Sequence, residues 1–362
     1  MKKIVWIKGA YGPHNLGDDL LYTLIHRNIS SRLGSKFEVV VGVDNINKAK
    51  RVNEKIKYKD SCQRVQCDYL VLGGGGQFYS FNNTDRSYLS KIKFYINSIF
   101  NLKIHHLLLR KVLRDKFSFK VGFCVGVGPF HNKNDKMKVV ESIRKFDYFS
   151  VRDSESEKLL QSHGISPFYF TDPVFSLDAM KIKSKGDRIG IILRDWKKDS
   201  DGKNVIGKLE SLAIKLRERN HSIEIVLLSE HDKDMLSQEL SSFPVWVWNA
   251  DENPEGIVEN WCERYNTIIT TRAHGVLIGA LAGCNVIVAP LESKLKNFHL
   301  FFPNSTHYIE KKSFLKILPQ DIEDKINNSY SVEKRNEEIE YNKKIADMSF
   351  DSLCDWIKKT NA

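Results

Sequence analysis

The chain contains no CxxC pair among its six cysteines. That spacing marks zinc ribbons and redox motifs, so its absence removes both. Cys62, Cys67, Cys124, Cys262, Cys284 and Cys354 are scattered, several of them inside apolar runs. The pattern fits reduced, buried thiols in a cytoplasmic protein better than a disulfide framework. No apolar stretch is long enough to span a bilayer. The opening "MKKIVWIKGAYGPHN" starts like a signal peptide, but its apolar run stops after Ile7. It is expected to be the first strand of the fold. A GxGxxG fingerprint and a GK[ST] P-loop are both missing, so neither dinucleotide nor P-loop nucleotide chemistry is supported. Internal repeats, low-complexity tracts and nucleic-acid-binding modules are missing too. His105 and His106 are adjacent rather than at i, i+4, and the acids do not cluster. No metal site is expected, and activity should survive a chelator.

Negative charge is also in deficit. Lys and Arg number 56 against 45 Asp and Glu, for a net charge of +11 over 362 residues. An anionic partner is favoured: a phosphorylated substrate, an acidic membrane surface or nucleic acid. The lysines are scattered, which fits a solvated surface better than a nucleic-acid stripe, so no nucleic-acid partner is expected. A hydrophobic content of 41% is that of a globular protein.

What remains is an alternation of strand and helix. "KKIVWIK", "KFEVVVGV", "CDYLVLGGGG", "FKVGFCVGVGPF" and "DYFSVRD" are short apolar runs ending in Gly or a polar turn. A second series follows from Arg188: "RIGIILRDW", "SIEIVLLSE", "VWVWN", "YNTIITT" and "NVIVAP". Helical spacing lies between, as in "LGDDLLYTLIHRNISSRL", with Leu20, Leu21, Leu24 and Ile25 on one face. Continuous apolar strands imply parallel sheets covered on both faces. The expectation is an α/β protein of two Rossmann-like domains, 1–180 and 181–331, facing across a cleft. A helical tail, 332–362, would pack back on the first domain. Residues 91–120, rich in Lys and Arg, are expected to form a core-packing helical hairpin with a basic outer face. An amphipathic patch for an anionic membrane surface is the sharper alternative. Peripheral membrane association would follow from it.

Open α/β sheets bind ligands at the carboxyl ends of their strands. Several polar or glycine-rich stretches sit there. In "TTRAHGVLIGALAG" a strand hands over to a helix whose start carries Arg272 and His274. The first helical N–H groups lack intrahelical partners and the dipole end is positive, so the junction suits an anion. Arg272 adds a fork for oxyanions. His274 can donate or deliver a proton. Ala273 and Gly275 share the turn, and Gly275, Gly279 and Ala280 keep the helix thin. A domain-edge Arg and a satisfied core His would look the same. Arg194 follows "RIGIIL" and faces the same cleft, or forms a surface ion pair with Asp195. In "GAYGPHNLGDDLL", Asn15 and Asp18 sit at the edge of the first sheet, with helix capping as the plainer role for Asp18. "GGGGQFY" places Gly74, Gly75 and Gln77 at another strand end, where backbone can approach a ligand. Arg152 and Asp153 in "SVRDSES" are expected to be structural.

In their order these segments resemble the polysaccharide pyruvyl transferase family. "GPHNLGDDLL", "LVLGGGG", "GVGP", "SVRDSES" with "HGI", "TDPVFSL", "IGIILRD" and "TTRAHGVLIGALAGCNVIVAPLESKLKNF" carry the resemblance. It implies a GT-B-like fold, phosphoenolpyruvate as donor and co-substrate with no further cofactor, and a sugar diol as acceptor, lipid-linked or nucleotide-linked. The product would be a cyclic pyruvate ketal in a surface polysaccharide or cell-wall glycan. Arg194, Arg272 and His274 would grip the donor, with Lys294 of "APLESKLKNF" joining the substrate contacts. His274 would be the acid, and Asp18 the candidate base. Asp19 stands where Glu is common, and Ala273 where a larger aliphatic is usual.

Two other functions fit the same pattern. One is a GT-B glycosyltransferase using a nucleotide sugar. Many of those enzymes carry H-x-x-x-x-E-A-L, whose Glu binds the donor ribose. Gly279 holds that place here, which argues against a nucleotide donor, although Glu292 could substitute. The other is a catalytically degenerate homologue that binds a glycan. The sequence sets neither the acceptor sugar nor the oligomeric state.

Overall fold

The computed structural model describes residues 2–11, 15–64, 66–78, 116–130, 132–194, 200–292, 294–328 and 330–361. The first half runs β1 (Lys3–Lys8), α1 (Leu16–Leu33), β2 (Phe37–Val43), α2 (Ile46–Val52), β3 (Tyr58–Asp60), β4 (Gln66–Gly73) and β5 (Gly76–Phe78). It continues with β6 (Lys116–Val127), α3 (Lys133–Ile143), β7 (Tyr148–Val151), α4 (Ser154–Gln161) and β8 (Phe168–Tyr169). The second half holds β9 (Arg188–Leu193), α5 (Ser200–Glu218), β10 (Ile223–Leu227), β11 (Val245–Val247), α6 (Ile257–Arg264) and β12 (Tyr265–Thr270). Then come α7 (Ala273–Leu281), β13 (Asn285–Val288), α8 (Leu295–His299), β14 (Thr306–Tyr308), α9 (Lys311–Phe314), α10 (Pro319–Asn327) and α11 (Val332–Thr360).

Each half is built on a parallel sheet. The first has the order β3-β2-β1-β4-β6-β7-β8, with β5 paired to β6. The second has the order β11-β10-β9-β12-β13-β14. Read within its own half, that is the 3-2-1-4-5-6 order of a doubly wound nucleotide-binding fold, whose switch point lies between β9 and β12. Helices cross between most sequential strands, as α1 does between β1 and β2 and α7 between β12 and β13, and the central strands are apolar because both faces are covered. All five residues of β10 are buried, as are the last five of β9.

Residues 91–115 of the basic stretch, and with them most of the hairpin and membrane-patch expectation, lie outside the described residues. Its last five residues do not continue a helix. Lys116–Lys120 open β6 instead, where Phe117, Phe119 and Val121 recur at the period of two that a strand requires. Further along β6, the register against β7 shifts between Gly122 and Val125, and Cys124 takes a φ of 47°. An irregularity of this kind re-aims the strand end. Gly126 and Gly128 are carried by it to the rim of the cleft.

Helix α1 is buried well beyond one face, Thr23 and Asn28 included. It is wedged between its own sheet and the second half. Leu16 N donates to Leu228 O at 2.9 Å, and the Trp248 indole N–H donates to Asp19 Oδ2 at 2.8 Å. Arg27 pairs with Glu255. Helix α11 starts beside the second half, where buried Arg335 donates to the carbonyls of Met180 and Ile182. It ends against the first sheet, where the Tyr69 hydroxyl donates to Ile357 O at 3.1 Å. One continuous buried core joins the two sheets through α1 and α11.

Candidate active site

The turn from β12 into α7 lines a cavity between the two halves. Thr270 Oγ1 accepts from Arg272 N at 2.9 Å and donates to Arg272 O at 3.0 Å. The Thr271 hydroxyl donates to Ile192 O at 2.9 Å, stitching the turn to β9. Arg272 is the N-cap of α7, with extended backbone and no side-chain cap, so the first-turn amides are left for a ligand. Gly275 lets the helix lie this close. A Cβ there would sit 2.2 Å from Thr270 Oγ1 and 2.6 Å from Ile192 Cδ1.

From the first half, Asn15 and Asp18 on α1, Gly75 after β4, and Gly128 after β6 face this turn. Asn15, not Asp18, caps α1, with its Oδ1 accepting from Gly17 N at 3.1 Å. Asp18 is thereby free of the capping duty expected of it and lines the cavity. Gly75 has a φ of 75°, a conformation that favours glycine. Gly17 meets His274 so closely that a Cβ would lie 2.0 Å from the imidazole Nδ1. The cavity, open on one side, is about 180 Å³. That is smaller than the roughly 300–1,000 Å³ of pockets that take drug-sized ligands.

Four cations line it: Arg152, Arg194, Arg272 and Lys294. Each is held by a carboxylate. Arg272 pairs with Asp232, Arg152 with Asp172, Arg194 with Glu292, and Lys294 Nζ lies 2.8 Å from Glu292 Oε2. The anchoring is incomplete. Arg152 Nε, Arg272 Nε and His274 Nε2 are buried with no hydrogen-bond partner. Buried polar groups are almost always paired, so these three nitrogens beside one cavity keep hydrogen-bonding capacity that the protein itself does not use.

Protonation follows from burial against this field. Desolvation pushes the Asp18 carboxyl up to about 6, although Arg272, Arg152, Arg194 and Lys294 pull it down. Desolvation pulls the His274 imidazole down to about 4; Asp172 opposes this, and Arg152, Arg272 and Lys294 add to it. Against the protein's own charges, His274 is therefore neutral and Asp18 mostly ionised at neutral pH.

Of the residues singled out in the sequence, Asn15, Asp18, Gly75, Arg194, Arg272, Ala273, His274 and Lys294 line one cavity. Gly275 is behind it, against β9 and β12. Gly74, with a φ of 63°, turns toward Ile25 and Leu21 in the core. Gln77 lies in β5, which pairs with β6. Arg194 pairs across the cavity with Glu292, and its alternative partner Asp195 lies outside the described residues. Arg152 was expected to be structural, yet it is a wall of the cavity as well as the partner of Asp172. Its neighbour Asp153 does cap α4, accepting from Ser156 N at 2.8 Å. Gly279 faces away from the cleft, where a Cβ would meet Val286 at 2.9 Å. The residue at that place is dictated by sheet packing, so its identity does not discriminate between donors. Among the described residues, no three His, Cys, Asp or Glu side chains gather as a metal set, and no helix is long and apolar enough to cross a membrane.

The fold is shared with sugar-nucleotide enzymes of GT-B type. The S. aureus MnaA–UDP co-structure aligns with a TM-score of 0.58 at 12% identity, covering 99% of this chain and 97% of that one. The UDP-GlcNAc 2-epimerase of Methanocaldococcus jannaschii, solved with UDP-GlcNAc and UDP, aligns at 0.53 and 12%, covering 94% and 98%. The Neisseria meningitidis UDP-GlcNAc 2-epimerase bound to UDP-GlcNAc aligns at 0.52 and 11%, covering 99% and 100%. At such identities the likeness is one of fold. No curated protein sequence matches the chain. A profile of polysaccharide pyruvyl transferases matches residues 15–292, from the Asn15 cap to Glu292 at the cavity wall. With that span covering the site and most of both sheets, the chain belongs to the polysaccharide pyruvyl transferase family.

Proposed function

We propose that the protein moves the pyruvyl group of phosphoenolpyruvate onto two hydroxyls of a sugar, forming a cyclic ketal and releasing phosphate. The observation that carries this is the small cavity with its three orphaned buried nitrogens and the free N-terminus of α7. Phosphoenolpyruvate presents a phosphate and a carboxylate on three carbons. Two guanidinium edges and a helix N-terminus match that compact double anion.

Against the protein's own charges His274 is neutral at pH 7 and cannot act as an acid. The donor changes its field. Two anionic groups beside the ring raise the imidazole pKa and let it take up a proton. The imidazolium then protonates the methylene carbon, making the methyl group. A sugar hydroxyl attacks the adjacent carbon and loses its proton to Asp18. The bond to the phosphate oxygen breaks, and Arg194 and Arg272 hold the departing phosphate. The second hydroxyl closes the ring and passes its proton to the departing phosphate. His274 regains its proton from solvent and Asp18 releases the one that it took, so the reaction balances without an oxidant. Loss of one charged transition-state contact costs on the order of 10²–10³ in rate.

A nucleotide sugar is the competing donor, since the S. aureus neighbour was solved with UDP. Incubation of saccharides with phosphoenolpyruvate in chelator, read by mass spectrometry, separates the two. A gain of pyruvate less water, abolished by His274→Ala, is the expected outcome. Transfer from a UDP-sugar with no pyruvate increment overturns the proposal.

A further inference from the structure

A second cavity of about 150 Å³ opens off the first. The two share Gly76, Gly128, Pro129, Arg152 and Lys294 as a common rim. The second is walled by Phe130 and Leu159 of the first half and by Phe298 on α8 of the second. Ser156 on its wall is spent on Val127, and Arg152 and Lys294 are paired with Asp172 and Glu292. Asn297 on α8, only 8% exposed, brings a side-chain amide to the lining. Asp153 spends Oδ1 on capping α4 and keeps Oδ2. Glu155, one residue into α4, is exposed at the mouth.

We infer that this adjoining cavity is the acceptor subsite, and that it takes a neutral pyranoside ring; the inference rests on the proposed pyruvyl transfer. The walls offer apolar surface to the ring's C–H faces. Asp153 Oδ2 and the Glu155 carboxylate accept from hydroxyls, and Asn297 both donates and accepts. The pattern of a mainly apolar pocket with a few convergent polar groups is that of a small-molecule site. Its connection to the donor cavity at Gly76 and Gly128 is the element that makes it an acceptor site. Neither position has a Cβ, so two hydroxyls at one edge of the ring can reach across the rim toward the donor carbon. Arg152 stands on the boundary, with its guanidinium 5.1 Å from the Phe298 ring centroid and its Nε unpartnered. It thereby ties occupancy of one cavity to the other. Asn297 and Asp153 are positioned to select the sugar configuration, since they fix which hydroxyls point back to the rim.

The test uses the full chain with methyl glucoside, methyl galactoside and methyl mannoside as probes, followed by saturation-transfer NMR. Phosphoenolpyruvate binding is measured separately by calorimetry. Wild type is expected to bind at least one glycoside, and more tightly with phosphoenolpyruvate present. Asn297→Ala should weaken that glycoside roughly five-fold, the loss of one net hydrogen bond. Leu159→Trp, which fills the cavity from α4, should abolish glycoside binding. Both variants should keep the wild-type affinity for phosphoenolpyruvate, and a matching melting curve shows that they fold. Absence of glycoside binding to wild type, or glycoside binding unchanged in both variants, overturns the subsite. Failure of phosphoenolpyruvate itself to bind wild type overturns the donor assignment instead, so the two failures are distinct.

Discussion

At the scale of single residues, the site is governed by two groups pushed away from their ordinary pKa values in opposite directions. Pairs of this kind mark acid and base roles. Asp18 is a base only when ionised, and its carboxyl titrates at about 6. Its function is therefore present above that value and lost as pH falls through it. The second ionisation of a phosphate group also lies near pH ~6, so the donor can produce a limb of its own. Asp18→Asn separates them. The variant should lose about 10²–10⁴ in kcat/KM, as for removal of a general base, and the limb that remains should be the donor's alone. A variant whose kcat/KM profile keeps the wild-type height and acid limb would remove Asp18 from the reaction. The sequence made Asp18 legible as a candidate, but capping looked the plainer role because its spacing from the helix start suits either. The structure gives the cap to Asn15. Arg152 was not legible. An Arg after a strand carries no sign of which cavity it borders; the structure brings Gly126, beyond the register shift in β6, against it.

At the scale of elements, the turn from β12 into α7 was readable for a physical reason. A buried strand, a charged turn and a helix of small residues leave few arrangements open. Gly275 and Gly279 were read as keeping the helix thin, and both do so, against Thr270 and Val286 respectively. The inference from Gly279 to the donor failed for the same reason. It treated a position on the sheet side of the helix as if it faced the cleft. Period alone cannot orient a helix whose every residue from Gly275 onward is buried. Gly275→Ala tests the packing. The new methyl group would press on Thr270 Oγ1, the acceptor of the Arg272 amide. Overpacking of this kind costs about 1–3 kcal/mol. Urea denaturation should show a lower midpoint, together with weaker phosphoenolpyruvate binding, because the cap turn carries Arg272. An unchanged midpoint would mean that the turn tolerates displacement.

At the scale of the whole molecule, the groups proposed to act as acid and base come from opposite halves. Asp18 belongs to α1 and His274 to α7, and only the way the halves meet sets their separation. That meeting is specified by contacts distant in sequence: Leu16 to Leu228, Asp19 to Trp248, and the helix α11 that bridges both sheets. None of these is visible in local periodicity, which is why the two series of strands were legible and their docking was not. Gly17 is the point at which docking and chemistry coincide. A Cβ there would lie 2.0 Å from His274 Nδ1 and 2.6 Å from Cε1. Gly17→Ala therefore has two responses open to it. Either the imidazole turns out of its seat or the halves part slightly, and both lengthen the path between acid and base. A misplacement of about 1 Å can cost on the order of 10² in rate. The expected result is a fall in kcat of that order with an unchanged far-ultraviolet spectrum, since neither sheet is touched. Phosphoenolpyruvate affinity should fall less than kcat, because Arg194, Arg272 and Lys294 all belong to the second half and move together, and Arg152 alone comes from the first. If kcat and affinity fell in equal proportion, the Arg152 contact would dominate donor binding. If neither moved, the close approach of Gly17 to His274 would have no part in the chemistry.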